Sequence, residues 1–201
     1  MRTPAEDGPP TYNVQLTQPI IGHLAAAGAS TVLDLGCGSG WFSQVLWRCG
    51  FEVTGVDRSD SRLQTARSRY PDLRLQQHDI VEEPDASWIG RFDAVVAIDV
   101  IDHLTRPRLL IETALATLKP GGLLIVTSPF HGYAKNLALA LTGRFDRRWE
   151  ALSDSGRVKF FSRATLGTLM LESGLSQVQV RTVGRITPFA RALLASGRAP
   201  A

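Results

Sequence analysis

The residues of this sequence best placed to do chemistry are Asp34, Asp57, Asp79 and Asp99, together with the turn Gly36-Cys37-Gly38-Ser39-Gly40. A glycine turn that opens a helix offers unpaired backbone N–H groups and suits an anion. Asp34, just ahead of the turn, would repel a pyrophosphate and attract an ammonium group. Together they ask for a zwitterion, such as the amino-acid end of a methionine-containing nucleoside, with its amine toward Asp34 and its carboxylate toward the turn. Asp57, about 20 residues on, stands where nucleoside-binding sheets hold ribose hydroxyls. A nicotinamide fingerprint, G-x-G-x-x-G, would need glycine where Trp41 stands.

A second group begins at the fourth aspartate. Asp99, Asp102 and His103 have the spacing i, i+3, i+4, which one helical turn would bring together. Two carboxylates and an imidazole can hold a divalent metal. Without metal, His103 is a candidate general base for a hydroxyl or phenol, and His131 is a second one. Tyr133, Lys135, Arg144, Arg148, Arg157 and Lys159 could line a pocket for an anionic substrate group.

The elements that must position these residues can be read from periodicity. A leading helix is expected over 16–27, with Ile20, Ile21, Leu24 and Ala27 on one face. Strands are expected at 31–35, 51–56, 73–77, 92–98 and 123–127. Helices over 41–49, 59–70 and 107–118 alternate with them, the second capped by Ser59 and the third opened by Pro107. This rhythm predicts an α/β doubly wound, mostly parallel sheet with its ligand at the strands' carboxyl ends. It then breaks. Residues 129–162 form a long substrate-side insertion or lid with a helix candidate at 133–141, ahead of a Ser162-capped helix and a strand at 177–183. One domain over 1–201 is expected, with 1–12 disordered.

Composition narrows the classes. The 201 residues are 44% hydrophobic and 20% charged, enough for one full core and too apolar for a disordered chain. No apolar run is long enough to span a bilayer, and MRTPAEDGPP has no signal-peptide core, so a cytoplasmic location is expected. Cys37 and Cys49, too far apart on a helical stretch for a bridge, make neither a disulfide framework nor a zinc site. Residues 130–201 carry 11 Lys and Arg against 4 Asp and Glu, pointing to an acidic ligand or a solvated basic face. The leucines of 133–141 beside basic residues have the character of a membrane-surface segment, although a lid on the pocket is preferred. No aromatic-basic stacking platform for nucleic acid is present.

The segments VLDLGCGSG (32–40), GVD (55–57), HDI (78–80), DVIDHL (99–104) and LKPGGLLIVTSP (118–129), in this order, resemble the motifs of class I S-adenosylmethionine-dependent methyltransferases. Within that family the chain is most similar to the ubiquinone-pathway O-methyltransferase type, since DVIDHL resembles its E-V-x-E-H-x motif. The resemblance implies a seven-stranded Rossmann-like sheet whose last strand is antiparallel, with 191–197 as its candidate. That strand is short, and a frayed one would leave a sheet edge for a partner subunit, so the chain is expected to be a monomer or a homodimer.

The resemblance also implies that Asp34, Gly36, Gly38 and Gly40 cradle the methionine end, and that Asp57 binds both ribose hydroxyls. Asp79 would bind the adenine amino group, with Ile80 beside the ring. Cys37, Ser39, Arg58, His78, Ile98 and Asp99 complete the expected cofactor site. The bland readings stay open: Asp34 as a turn former, Asp57 as a cap of the next helix, Asp79 as an Asx turn. The family associates the Asp99, Asp102 and His103 positions with a divalent metal, which is not favoured here because Asp shortens the reach. The expected reaction is methyl transfer to a small molecule at oxygen, with S-adenosyl-L-homocysteine as the product. An N- or C-methyltransferase and a non-catalytic S-adenosylmethionine-binding subunit are the alternatives. Nucleic acid is disfavoured because Asp99-Val100-Ile101-Asp102 replaces the N/D-P-P-Y/F motif of base methylation.

Overall fold

Alternation along the strands decides which layer each helix covers. The structure, a computed structural model, describes residues 11–130, 132–143, 158–184 and 190–201. In β1 (Thr31–Leu35), Val32 belongs to one apolar cluster and Leu33 and Leu35 to the other, as a strand buried on both faces requires. Val32 packs with α1 (Thr11–Ala26) through Leu16, Ile20 and Leu24, and with Phe42 and Leu46 of α2 (Trp41–Arg48). The opposite face of the sheet packs with α4 (Arg108–Thr117) and α6 (Arg163–Glu172) through Leu110, Ile111, Ala114, Leu166 and Met170. A smaller cluster seats Leu63 and Ala66 of α3 (Asp60–Arg69) on Leu73 and Leu75.

The sheet has seven strands in the order β3-β2-β1-β4-β5-β7-β6. Parallel pairing joins β2 (Glu52–Asp57) to β1 and to β3 (Arg74–Gln77), and β4 (Phe92–Ile98) to β1 and to β5 (Leu118–Pro129). The strand β7 (Ala192–Arg198) runs antiparallel to both β5 and β6 (Ser176–Val183). The switch point falls where the chain leaves β1 for β2 and later returns to β4 on the other side.

The expected elements are present within a few residues. Ser59 stands at the predicted N-cap, Pro107, expected in the first turn, is itself the N-cap of a helix that begins at Arg108, and Ser162 forms a capping box with Thr165. The weak-strand expectation is corrected: β7 is complete, six of its seven residues are buried, and it lies inside the sheet with β6 at the edge. Its small Ala195, Ser196 and Gly197 suit that crowded place, since a Cβ at Gly197 would lie 3.2 Å from Leu175 Cβ. β5 is longer than its apolar run because Lys119-Pro120-Gly121-Gly122 continues the strand, with Gly121 N–H donating to the Pro200 carbonyl at 2.9 Å. Both cysteines are free thiols.

Candidate active site

The carboxyl ends of β1, β2 and β4 meet around the glycine turn. Gly36, Gly38 and Gly40 have φ of 80°, 56° and 79°, in the region that favours glycine. Gly36 is required for a second reason: a Cβ there would lie 2.4 Å from Val100 Cγ2. The N–H groups of Gly36 and Cys37 donate to the Val56 carbonyl at 2.7 and 2.9 Å, tying the turn to β2. Nothing lies within 4 Å of a Cβ placed on Gly38, so that side of the turn is open.

Asp57 ends β2 and joins the turn to the next helix. Its Oδ2 accepts from Gly38 N–H at 2.9 Å and its Oδ1 from Ser59 N–H at 2.8 Å. An open cleft of about 410 Å³ lies beside it, lined by Asp57, Arg58, Ser59, Arg62 and Asp79. Asp79 Oδ1 accepts from Val81 N–H at 3.2 Å, so the Asx turn weighed as its bland reading is present at the cleft wall. Asp57 likewise makes the contact to the helix start that its bland reading supposed, while still facing the cleft.

Asp34 is placed differently from the expectation. It is 1% exposed, beneath the turn, and its Oδ2 accepts from Ser43 Oγ at 2.6 Å. Burial pushes its carboxyl up to about 7, with the Ser43 hydroxyl opposing the shift and the nearby Asp57 charge adding to it. Direct contact with a ligand's amine is therefore not the arrangement seen; Asp34 supports the turn from inside. Burial, with the Asp34 and Asp57 charges, also pushes the half-buried Cys37 thiol far above its usual range, which makes it an inert packing group.

Other expected cofactor residues divide. Ser39 sits half-buried in the turn, and Arg58 is exposed at the cleft, its carbonyl accepting from Gln77 Nε2. The His78 backbone N–H donates to the Asp57 carbonyl at 3.1 Å, but its ring packs edge-on to Trp88 at 5.1 Å. Ile80 is buried in the larger apolar cluster, and Ile98, one residue before Asp99, is half-buried against the other.

The Asp99, Asp102 and His103 group does not gather at one point. Asp99 stands before the helical turn with φ 54°, bonded to Thr127; only Ile101–His103 form a 3-10 turn. The Asp102 side chain is buried, and its carbonyl accepts from Val158 and Lys159 N–H at 2.9 and 3.0 Å. The His103 side chain is 40% exposed, with Nε2 3.8 Å from Asp102 Oδ2. Among the described residues no three His, Cys, Asp or Glu side chains come together to hold a metal ion, so these residues do not fit one.

On the substrate side, α5 (Tyr133–Leu141) forms as expected and carries Tyr133 and Lys135 on its first turn, with Leu137 and Leu141 exposed. Lys159 is exposed beside the Asp102 carbonyl. His131, Arg144, Arg148 and Arg157 lie outside the described residues. Sequence reasoning missed Ser43, Val100 and Thr127. Ser43 had a readable signal, being a polar residue on the apolar face of α2 between Phe42 and Leu46.

Sheet order and the glycine turn that follows β1 define a Rossmann-like α/β domain with an antiparallel C-terminal strand. A family model described as a methyltransferase domain matches residues 14–180, and the chain belongs to that family. The ubiquinone biosynthesis O-methyltransferase of Caulobacter vibrioides is 35% identical over 123 residues, covering 59% of this chain and 48% of the relative. That of Bradyrhizobium diazoefficiens is 32% identical over 156 residues, covering 76% and 60%. The chain thus spans about half the length of the curated relatives it matches. Among solved structures, the methyltransferase domain of bacterial CtHen1-C superposes with a TM-score of 0.71 at 25% identity, covering 94% of this chain and 99% of that one. The magnesium protoporphyrin IX methyltransferase from Synechocystis shares the fold at 18% identity and a TM-score of 0.69, covering 96% and 90%. Among the described residues no helix is long and apolar enough to cross a membrane.

Proposed function

We propose that this domain transfers a methyl group from S-adenosylmethionine to a small-molecule acceptor, at an oxygen of an anionic or phenolic metabolite. The observation that carries the reading is Asp57, fixed between Gly38 N–H and Ser59 N–H at the rim of the cleft that also holds Asp79. A carboxylate with one bond to each oxygen keeps acceptor capacity on both, which suits two ribose hydroxyls. The open face of Gly38 supports the fit, since it leaves room for a ligand against the turn. Asp57, Gly38, Ser39 and Asp79 would hold the donor, whose bound form supplies a methyl activated by a sulfonium for in-line displacement.

The chain's own contribution is alignment and exclusion of water. Asp57 fixes the nucleoside end, and Asp34 with Ser43 holds the turn from below. Held there, the donor would offer its methyl carbon to an acceptor oxygen, with the electron pair of the carbon–sulfur bond left on sulfur. His103 takes the proton of an acceptor hydroxyl, with His131 as the second candidate base. Tyr133, Lys135, Arg144, Arg148, Arg157 and Lys159 orient an anionic group. Transfer to oxygen is supported by the names of the relatives.

The test is calorimetric titration with S-adenosylhomocysteine, with NADH as control. Micromolar binding of the first alone, lost in Asp57→Ala, is the expected result; equal binding of NADH or an unaffected variant overturns the reading. His103→Ala and His131→Ala, singly and together, then test the base on an acceptor found by screening phenolic and carboxylic metabolites.

A further inference from the structure

The residue that leaves β4 is in an unusual state. Asp99 has φ 54°, in the left-handed region that residues with a side chain seldom adopt, Asp more readily than most, and local hydrogen bonds favour it there. Thr127 supplies two such contacts. Its hydroxyl accepts from the Asp99 N–H at 3.0 Å and donates to Asp99 Oδ1 at 3.1 Å, so one side chain satisfies both the backbone and the carboxylate of that residue. Thr127 itself is fully buried in the middle of the sheet, in register with Ile98 of β4 and Leu194 of β7. Its position is therefore set by two strand pairings, independently of the loop it holds.

The next residue along the chain gives this contact its reach. Val100 packs so close to Gly36 that no Cβ fits between them. It also opens the 3-10 turn, in which the Val100 carbonyl accepts from His103 N–H at 3.0 Å. The conformation of Asp99 thus fixes two things together: the wall against which the glycine turn rests, and the backbone that carries His103.

We propose that Thr127 is a positioning residue for methyl transfer, acting through Asp99 to hold the glycine turn and His103 in fixed relation. It touches neither donor nor acceptor. The inference rests on the proposed function, because the turn is taken as the donor site.

Three variants separate the hydroxyl from the packing. Thr127→Val removes the hydroxyl at nearly constant volume, Thr127→Ala removes it without added bulk, and Thr127→Ser keeps it. Two measurements are made on each protein: S-adenosylhomocysteine affinity by calorimetry, and amide hydrogen exchange of residues 99–103 without ligand. The expected result is an affinity loss of about tenfold in the Val and Ala variants. Faster exchange at 99–103, with β4 and β5 unchanged, should accompany it. Thr127→Ser should return both readouts to near wild type. Unchanged affinity despite faster exchange would overturn the positioning role, leaving only a local bond. Unchanged exchange would overturn the latch itself. A wild-type protein that fails to bind S-adenosylhomocysteine would instead overturn the donor assignment, and the positioning role with it, even where the exchange pattern tracks the hydroxyl.

Discussion

Two aspartates at opposite ends of the same sheet show how differently one fold treats one residue type. Asp93 lies at the amino end of β4, where its carboxylate accepts from Ser30 N–H, Thr31 N–H, Thr31 Oγ1 and Lys119 Nζ. Its partial burial works against ionisation, yet Lys119, Thr31 and Ser30 outweigh it and hold the carboxyl well below the usual carboxylate range. Asp34, at the carboxyl end of β1, has one hydroxyl partner and near-complete burial, and its carboxyl is pushed up to about 7. The first end is stapled by a full set of donors. The second holds a poorly compensated carboxyl beside a turn whose open side suits a ligand. Open α/β sheets keep their ligand crevice outside the strands' carboxyl ends, the side on which the poorly compensated Asp34 lies.

Four measurements bear on that contrast, in order of expected size. Asp57→Ala should weaken S-adenosylhomocysteine binding by about 100-fold or more, since it removes a charged acceptor from the ligand and frees Gly38, and should lower stability by about 1–2 kcal/mol because the Gly38 and Ser59 N–H groups lose their acceptor. Unfolding that collapses in this variant would show that the ligand end also carries the fold.

Next is the pH dependence that Asp34 imposes. Its folded pKa of about 7 lies above the ordinary 3.8, so between those values the unfolded chain releases a proton that the folded chain keeps. Stability therefore falls as pH rises through that window and levels off above it. Asp34→Asn, which keeps an acceptor for Ser43, should flatten this slope by a few kcal/mol between about pH 4 and 8, a tenfold change in proton affinity being worth about 1.4 kcal/mol. Urea unfolding of both proteins across that range reads it; parallel slopes would remove the contrast with Asp93.

Asp93→Asn is the complement. It should cost about 2 kcal/mol in urea unfolding at pH 7, from weakened charge-assisted bonds, and leave ligand affinity as it was. Reduced affinity would mean that the two ends are coupled. The smallest effect belongs to Leu141→Ser on α5, 78% exposed: a stability change within about 0.5 kcal/mol, with any loss confined to the acceptor's KM.

The glycine-turn half of the candidate site was legible because its signals are local. A glycine at positive φ, an aspartate at a strand tip and a Ser59 cap each depend on neighbours a few residues away, and VLDLGCGSG declares them together. The half that follows β4 was not. The spacing of Asp99, Asp102 and His103 promised one helical face, but Thr127, distant in sequence, bends the chain at Asp99 and begins the turn only at Ile101. β7 was doubtful because its candidate, 191–197, is short and weakened by Gly197 and Pro200, whereas its place comes from β5 and β6 on either side.

What the sequence determined by itself is the alternation of strands and helices, the glycine turn, the aspartates that end the strands, and hence the doubly wound class. Those features arise from hydrophobic period and backbone sterics, which act over a turn or a strand. What only the tertiary structure decided is which carboxylates face the cleft and which are enclosed. Asp57 and Asp34 look alike in sequence, each near a strand's end by the turn, yet Asp34 is enclosed with Ser43, while Asp57, though only 7% exposed, is held by Gly38 and Ser59 at the cleft wall. Burial and charge are properties of surroundings assembled from residues far apart in the chain, so the pattern of types could name the candidates but not assign their roles.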